Sequence, residues 1–290
     1  MVSVELLVQQ VINGLLFGGQ LALMAIGLTL IWGVARVLNF GHGAMFMVGG
    51  FVGFFTLGAT GNMVVAVVAA GLVVFALGYA TEVALIRPLR DREEFGIPSM
   101  VVTLGLAFFL ENAFIVWIGS QRESFPQFTS VVWNVGGITL SAQRVVIFVI
   151  SVVALGILFY VISRTKLGLG IRAVSQDNDT ALLMGVRPNR IYAVTFGISA
   201  ALAGLAGVLL APLFAVYPSV GWYPFLLSFV VVMVGGLGSV RGTLLSAMGL
   251  AIIRSISTIW VSSEMAMVIL FGIMILVLAV YPDGIGGYLE

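Results

Sequence analysis

Residues 145–162 read VVIFVISVVALGILFYVI, eighteen residues without a charge, held between Arg144 and the pair Ser163-Arg164. A soluble helix would show a polar face once per turn, and this one shows only Ser151 and Tyr160. A helix of about 20 apolar residues crosses a hydrocarbon core of about 30 Å, so the run reads as a membrane span. The chain then changes character. Residues 163–190, SRTKLGLGIRAVSQDNDTALLMGVRPNR, are too polar to span and too patterned to be a plain linker.

Working outward, similar runs occur at about 10–32, 43–58, 63–86, 98–118, 191–216, 223–239, 243–260 and 265–281. With the first, that makes nine candidates. The runs at 43–58 and 223–239 are short and glycine-rich, as broken segments that line a cavity often are. The fold class predicted is therefore an all-α polytopic membrane protein with about eight to ten transmembrane helices and short broken ones. Composition agrees: 61% of the 290 residues are hydrophobic, mean hydropathy is +1.18, and 9% are charged, against roughly 25% in soluble domains. The start, Met1-Val2-Ser3-Val4-Glu5, has no basic n-region, and the first basic residue is Arg36. The first apolar stretch, roughly 8–33, is expected to remain as a span.

The residue inventory narrows the chemistry. Cysteine is absent, which excludes disulfides, thiolate nucleophiles and cysteine-ligated metals. One histidine, His42, rules out a two-histidine zinc site, and no cofactor is implied. The sole lysine, Lys166, precedes Leu167, so no G-x-x-x-x-G-K-[ST] phosphate loop exists. A net charge of +1 offers no basic face to nucleic acid.

If all nine runs cross and the C-terminus is cytoplasmic, one side collects Arg36, Arg87, Arg90, Arg92, Arg164, Lys166, Arg172, Arg187, Arg190 and Arg241. The other receives Arg122 and Arg144. That bias puts the basic side in the cytoplasm and the N-terminus outside. The segment 119–144, with Phe125, Phe128, Trp133 and Gly136-Gly137, then forms a small ordered external element. Residues 163–190 form a cytoplasmic loop within one transmembrane domain, 1–290.

Inside that loop, residues 175–184 predict a short helix. Ser175 or Asp177 can cap its N-terminus, and Asp179 suits its first turn. Ala181, Leu182, Leu183 and Met184 follow, Gly185 stops the helix, and Pro188 opens the next. The element lies between Arg172 and Arg187/Arg190. Two readings fit: a connector lying on lipid, or a docking helix for another protein. The acidic half disfavours an anionic leaflet.

The segment RAVSQDNDTALLMGV resembles the coupling loop of ABC importer permeases, with Ala181 and Gly185 at Ala-x-x-x-Gly spacing. LNFGHGAMFMVGGF at 38–51 resembles the Asn-Phe-(small)-His-Gly signature of bacterial permeases for branched-chain amino acids. GGLGSVRGTLLSAMGL at 235–250, LAGLAGVLLAP at 202–212 and the ending YPDGIGG are similar to segments of the same family, and the matches run from about 9 to 287 in order. One departure is Ala44, where the family often has Glu. The resemblance implies an ABC importer permease fold in the bacterial inner membrane. It implies a second, related permease in a heterodimer, two cytoplasmic ATPase subunits, a periplasmic substrate-binding protein and surrounding membrane lipid. It further implies that Arg172, Ser175, Asp177, Asp179, Ala181, Leu182, Leu183 and Gly185 couple to the ATPase. Alanine 181 would be small to approach the ATPase surface, and Leu182 or Leu183 would be the anchor. Family members also carry urea and amides. An ion-coupled secondary transporter is the rival class, with Glu111 as its carboxylate.

Candidates for the translocation path are Asn39, His42, Glu111 and Arg254. Glu111 and Arg254 sit at similar predicted depths, about 20 and 17 Å. They either pair, or Arg254 snorkels outward while Glu111 bonds a neighbour. His42, between two glycines, either satisfies backbone at a helix break or touches substrate; Asn39 either caps the next helix or does the same. Glu82 is expected to pair locally with Arg87. Small-xxx-small spacings at Gly14/Gly18, Gly49/Gly53, Ala200/Gly204 and Ala203/Gly207/Ala211 indicate close packing, mainly within the chain. Residues 29–50 and 228–249 share a pattern that hints at an internal repeat.

Overall fold

The computed structural model describes residues 3–90 and 95–288. Arg92 lies outside the described residues. Twelve α-helices make up most of the described chain. They are α1 (Val4–Ala35), α2 (His42–Thr60), α3 (Met63–Thr81), α4 (Arg87–Arg90), α5 (Gly96–Ile118), α6 (Ala142–Arg164), α7 (Lys166–Gln176), α8 (Asn178–Leu183), α9 (Pro188–Phe214), α10 (Trp222–Gly235), α11 (Val240–Ser257) and α12 (Ser263–Val280). A π-helical turn, Glu82–Ile86, joins α3 to α4 and makes Met63–Arg90 continuous. Among the described residues eight helices are long and apolar enough to cross a membrane, and the chain is a multi-pass membrane protein.

The run at 223–239 contracts to α10, fourteen residues or about 21 Å, too short to cross alone. The run at 43–58 lengthens to the 19-residue α2.

Helices α1 and α9 are the buried pillars. Outer helices such as α5 and α12 expose large apolar side chains instead, among them Phe109, Val116, Ile275 and Leu276. Pillar packing relies on small residues. A Cβ on Gly14 would meet the Ile252 backbone of α11 at 2.6 Å, and one on Gly49 would collide with Gly204 of α9. These small-xxx-small faces are thus consumed within the chain.

The repeat runs over different bounds from those the sequence suggests. α1–α2–α3 and α9–α10–α11 follow one plan: a long helix, a broken link, a helix starting inside the molecule, then a third helix. α1 packs on α11 as α9 packs on α3. The two inner helices begin at glycine N-caps of nearly equal shape, Gly41 (φ −70, ψ −5) and Gly221 (φ −72, ψ −21). The pillars end at Arg36 (φ 55) and Ala215 (φ 63), the only positive-φ non-glycine residues among those described. The weak sequence echo at 29–50 and 228–249 arises because each contains one break.

The segment 119–144 contains a β-hairpin. Strands β1 (Val132–Val135) and β2 (Ile138–Ser141) pair antiparallel around Gly136-Gly137, whose positive φ values of 58 and 81 suit a tight hairpin turn. Gln9 fixes the hairpin to the start of α1: its amide donates to Thr139 O and accepts from Thr139 N, both at 2.7 Å. Glu123 bridges Val216 beside the second break.

Candidate functional site

Two places gather the predicted residues. The first is the α7–α8 hinge. The single helix expected from 175 to 184 is instead two, because Asp177 takes an extended conformation (φ −154, ψ 114) and breaks the run. Its Oδ1 accepts from the N–H groups of Asp179 (2.9 Å) and Thr180 (3.2 Å), and its Oδ2 from the Thr180 hydroxyl (2.6 Å). The Thr180 hydroxyl and the two amides hold the Asp177 carboxyl below the usual carboxylate range. Asp179 lies in the first turn of α8.

Ser175 does not cap α8. It ends α7, and its hydroxyl donates to Arg172 O at 2.9 Å. Arg172 in turn donates to Ile162 O, tying α7 to the end of α6. Glycines make room for this tie: a Cβ on Gly168 would strike Ile162 O.

Ala181 is 4% exposed and packs into its own chain, while Leu182, Leu183 and Met184 are 58%, 88% and 80% exposed. The burial of Ala181 within its own chain gives its small size an internal reason beside any contact with a partner. Gly185, at φ 83, donates to Leu182 O, and Val186 donates to Ala181 O. This left-handed stop turns the chain toward Pro188 at the start of α9.

Sequence reading missed what grips this element. Asn178 Oδ1 accepts from the Tyr192 hydroxyl at 3.2 Å. The Arg90 guanidinium lies 3.4 Å from the Tyr192 ring centroid and donates to Glu82 Oε1 at 2.9 Å. Glu82 therefore pairs with Arg90, not Arg87, whose Nη2 donates to Asn189 O at 3.3 Å. The π-helical turn shifts register and aims Glu82 inward. A cation and an aromatic ring a hundred residues apart carry no spacing rule that could announce them.

The second place is the meeting of the inner helices. A Cβ on Gly221 would collide with Gly43 O, so backbones touch there. Glu111, on α5, stands beside both helix starts; its Oε2 accepts from Trp222 Nε1 at 2.8 Å. Helix N-termini carry partial positive charge, which suits a carboxylate. Arg254 is bound elsewhere: Nε and Nη2 donate to the Tyr223 hydroxyl at 3.1 and 2.7 Å. Glu111 and Arg254 thus do not pair. They hold adjacent residues of α10 from two sides.

His42 and Asn39 are buried, at 0% and 1% exposure, and Asn39 lines a small hollow of about 10 Å³. His42 Nε2 lies 3.1 Å from Met24 O, so it meets helix α1 and not the break itself. Asn39 Oδ1 accepts from Gly41 N at 2.9 Å and holds the link just before α2, without capping it. Thr103 accepts from Phe40 N at 3.1 Å and donates to Leu38 O at 3.4 Å, satisfying backbone that the break exposes.

A buried pillar pair, two inner helices meeting by their positive ends and a braced helix with an exposed apolar tip suit a transport-type membrane protein. The chain belongs to the family described as branched-chain amino acid transport system / permease component, which matches residues 10–278. It is 32% identical to the high-affinity branched-chain amino acid transport system permease protein LivH of Escherichia coli (strain K12), across 96% of this chain and 95% of that one. It is 33% identical to the corresponding protein BraD of Pseudomonas aeruginosa, with the same coverage. The permease protein LivM of E. coli K12 is 24% identical over 91% of this chain and 67% of its own length. No solved structure matches the chain significantly.

Proposed function

We propose that this chain is the membrane-spanning half of an ATP-driven importer of branched-chain amino acids, working beside a second, related permease. LivH and LivM of one organism bear the same transport-system name and both resemble this chain, which supports a heterodimer of two different permeases. Motive force comes from two ATPase subunits on the basic side, the cytoplasm, since the chain itself has no phosphate loop. A substrate-binding protein delivers the amino acid at the hairpin side.

The carrying observation is α8. Leu182, Leu183 and Met184 form an exposed apolar knob on a helix fixed to the membrane helices through Asn178, Tyr192, Arg90 and Glu82. An apolar knob seated in a partner's groove transmits motion only when its base is rigid. Ion coupling through Glu111 is disfavoured, because that carboxylate is already held by Trp222.

The test is co-purification of ATPase subunits from cells that carry Leu183→Asp, read beside leucine uptake. Both should fall at least about tenfold while the permease reaches normal levels, because a charge replaces an apolar anchor. Full ATPase retention with normal uptake would reduce the loop to a connector.

A further inference from the structure

Where α6 hands over to α7 and α9 begins, the structure holds a cleft of about 610 Å³. Lys166, Arg187 and Arg190 line it, and no Asp or Glu does. Lys166 opens α7, two positions past the end of the span α6. Arg187 is the N-cap of the span α9, and Arg190 lies in its first turn. The cleft therefore sits at the level of a membrane surface, where two spans end on the same side. Apart from Gly185, none of its lining residues belongs to α8 and its brace or to the meeting of the inner helices.

The three cations are uncommitted. Among the described residues the one ion pair joins Glu82 to Arg90. The side chains of Lys166, Arg187 and Arg190 make no hydrogen bond, ring contact or ion pair with any described residue. The acids nearest in sequence, Asp177 and Asp179, stand at the opposite end of α8, and Asp177 spends its carboxylate on the α8 amides and the Thr180 hydroxyl. A cleft lined by charge of one sign concentrates counter-ions of the other. Guanidinium and ammonium groups converging on one space suit a phosphate oxyanion.

Depth identifies the kind of anion. Leu167, Ile191 and Val194 form the rest of the lining. Val194 stands six residues past Pro188, about 9 Å down the span at 1.5 Å per residue. A cationic rim thus overlies an apolar wall that runs into the membrane. A soluble phosphate would leave that wall wet, and the acidic edge of a soluble protein would not reach down it. A zwitterionic head would bring its ammonium against three cations with no acid to receive it. An anionic amphiphile satisfies both parts, with its phosphate at the rim and its first methylenes along the wall.

We propose that this cleft is a binding site for an anionic phospholipid from the leaflet on the basic side of the membrane. Lys166, Arg187 and Arg190 hold its phosphate, and Leu167, Ile191 and Val194 hold the start of its acyl chain. Gly185, the left-handed stop after α8, borders the same space, so the bound lipid abuts the helix with the exposed apolar tip.

The inference rests on the chain spanning a membrane and not on the transport reading, because binding alone is measured. The full-length permease, delipidated in detergent, is titrated with phosphatidylglycerol and followed by native mass spectrometry. Phosphatidylethanolamine is the zwitterionic reference, and glycerophosphoglycerol supplies the same head without chains. One phosphatidylglycerol should bind at least about tenfold more tightly than either. Lys166→Gln, Arg187→Gln and Arg190→Gln should each weaken it about fivefold, and the triple variant at least about fiftyfold. All three side chains are exposed, and the single variants carry the test should the triple fail to fold. Arg241→Gln, which removes an exposed cation outside the cleft, should change nothing. Phosphatidylglycerol binding that ignores the cleft substitutions would overturn the proposal, as would an equal loss in Arg241→Gln, which would mean a diffuse field and no site. Phosphatidylethanolamine binding as tightly would remove the selection by charge, and glycerophosphoglycerol binding as tightly would make the occupant a soluble phosphate; either result overturns the lipid assignment.

Discussion

At the residue scale, one strained position and one cap make separable predictions. Ala215 holds φ 63 with ψ 174, a region that essentially only glycine enters freely. Ala215→Gly should raise the thermal midpoint in detergent by relieving about 1 kcal/mol of strain, and Ala215→Val should lower it. A lower midpoint for the glycine variant would show that the break is held by contacts and not by backbone preference. Asp177 is a different case. Its folded carboxyl titrates below the ordinary value, so its stabilisation of α8 is present above about pH 4 and fades as pH falls through the folded value. Amide exchange at Asp179 and Thr180 should quicken over that acid range in the native chain. In Asp177→Ala it should be fast at every pH, and in Asp177→Asn the acid dependence should vanish.

At the element scale, the brace and the meeting helices behave as units. Tyr192→Leu keeps apolar bulk but removes the ring under Arg90 and the hydroxyl donated to Asn178. Exchange should rise across 178–184 while α9 itself stays protected, and transport should fall more than ATPase binding. Equal exchange in the two chains would remove the brace from the coupling path. The spans were legible because an uncharged run of about twenty residues has one stable solution in lipid. The split at Asp177 was not, since Ser175 and Asp177 cap equally well on paper; in the fold the Ser175 hydroxyl turns back to Arg172 O within α7, and Asp177 takes the α8 amides. The Glu111–Arg254 pairing failed for another reason. Fourteen to fifteen residues from their helix starts, both lie at about 21–23 Å depth. Depth fixes one coordinate, whereas the direction around the helix axis comes from packing, which put Trp222 and Tyr223 between them.

At the scale of the whole molecule, sidedness and energy supply are open to direct test. The chain is free of cysteine, so single cysteines report cleanly. Ser3→Cys should label with an impermeant reagent in intact cells, and Asp179→Cys only after lysis. Labelling of the second from outside would invert the assigned topology. The isolated chain should bind no ATP; saturable binding would contradict the assignment of hydrolysis to separate subunits.

The partnership of α1 with α11 also has a bearing on biosynthesis. Thr29 shares a hydrogen bond of 2.7 Å with Thr243, 214 positions later, and Gln10 accepts from Ser255. At ribosomal rates of about 5–20 residues per second, the first helix waits roughly ten to forty seconds before its mate emerges. During that interval Gln10 and Thr29 face lipid without their α11 partners, at a cost that lipid alone cannot offset. The nascent chain therefore needs a lateral shelter at the insertion machinery. Ribosome-stalled chains ending before residue 240 should cross-link α1 to that machinery, and chains extending past α11 should release it.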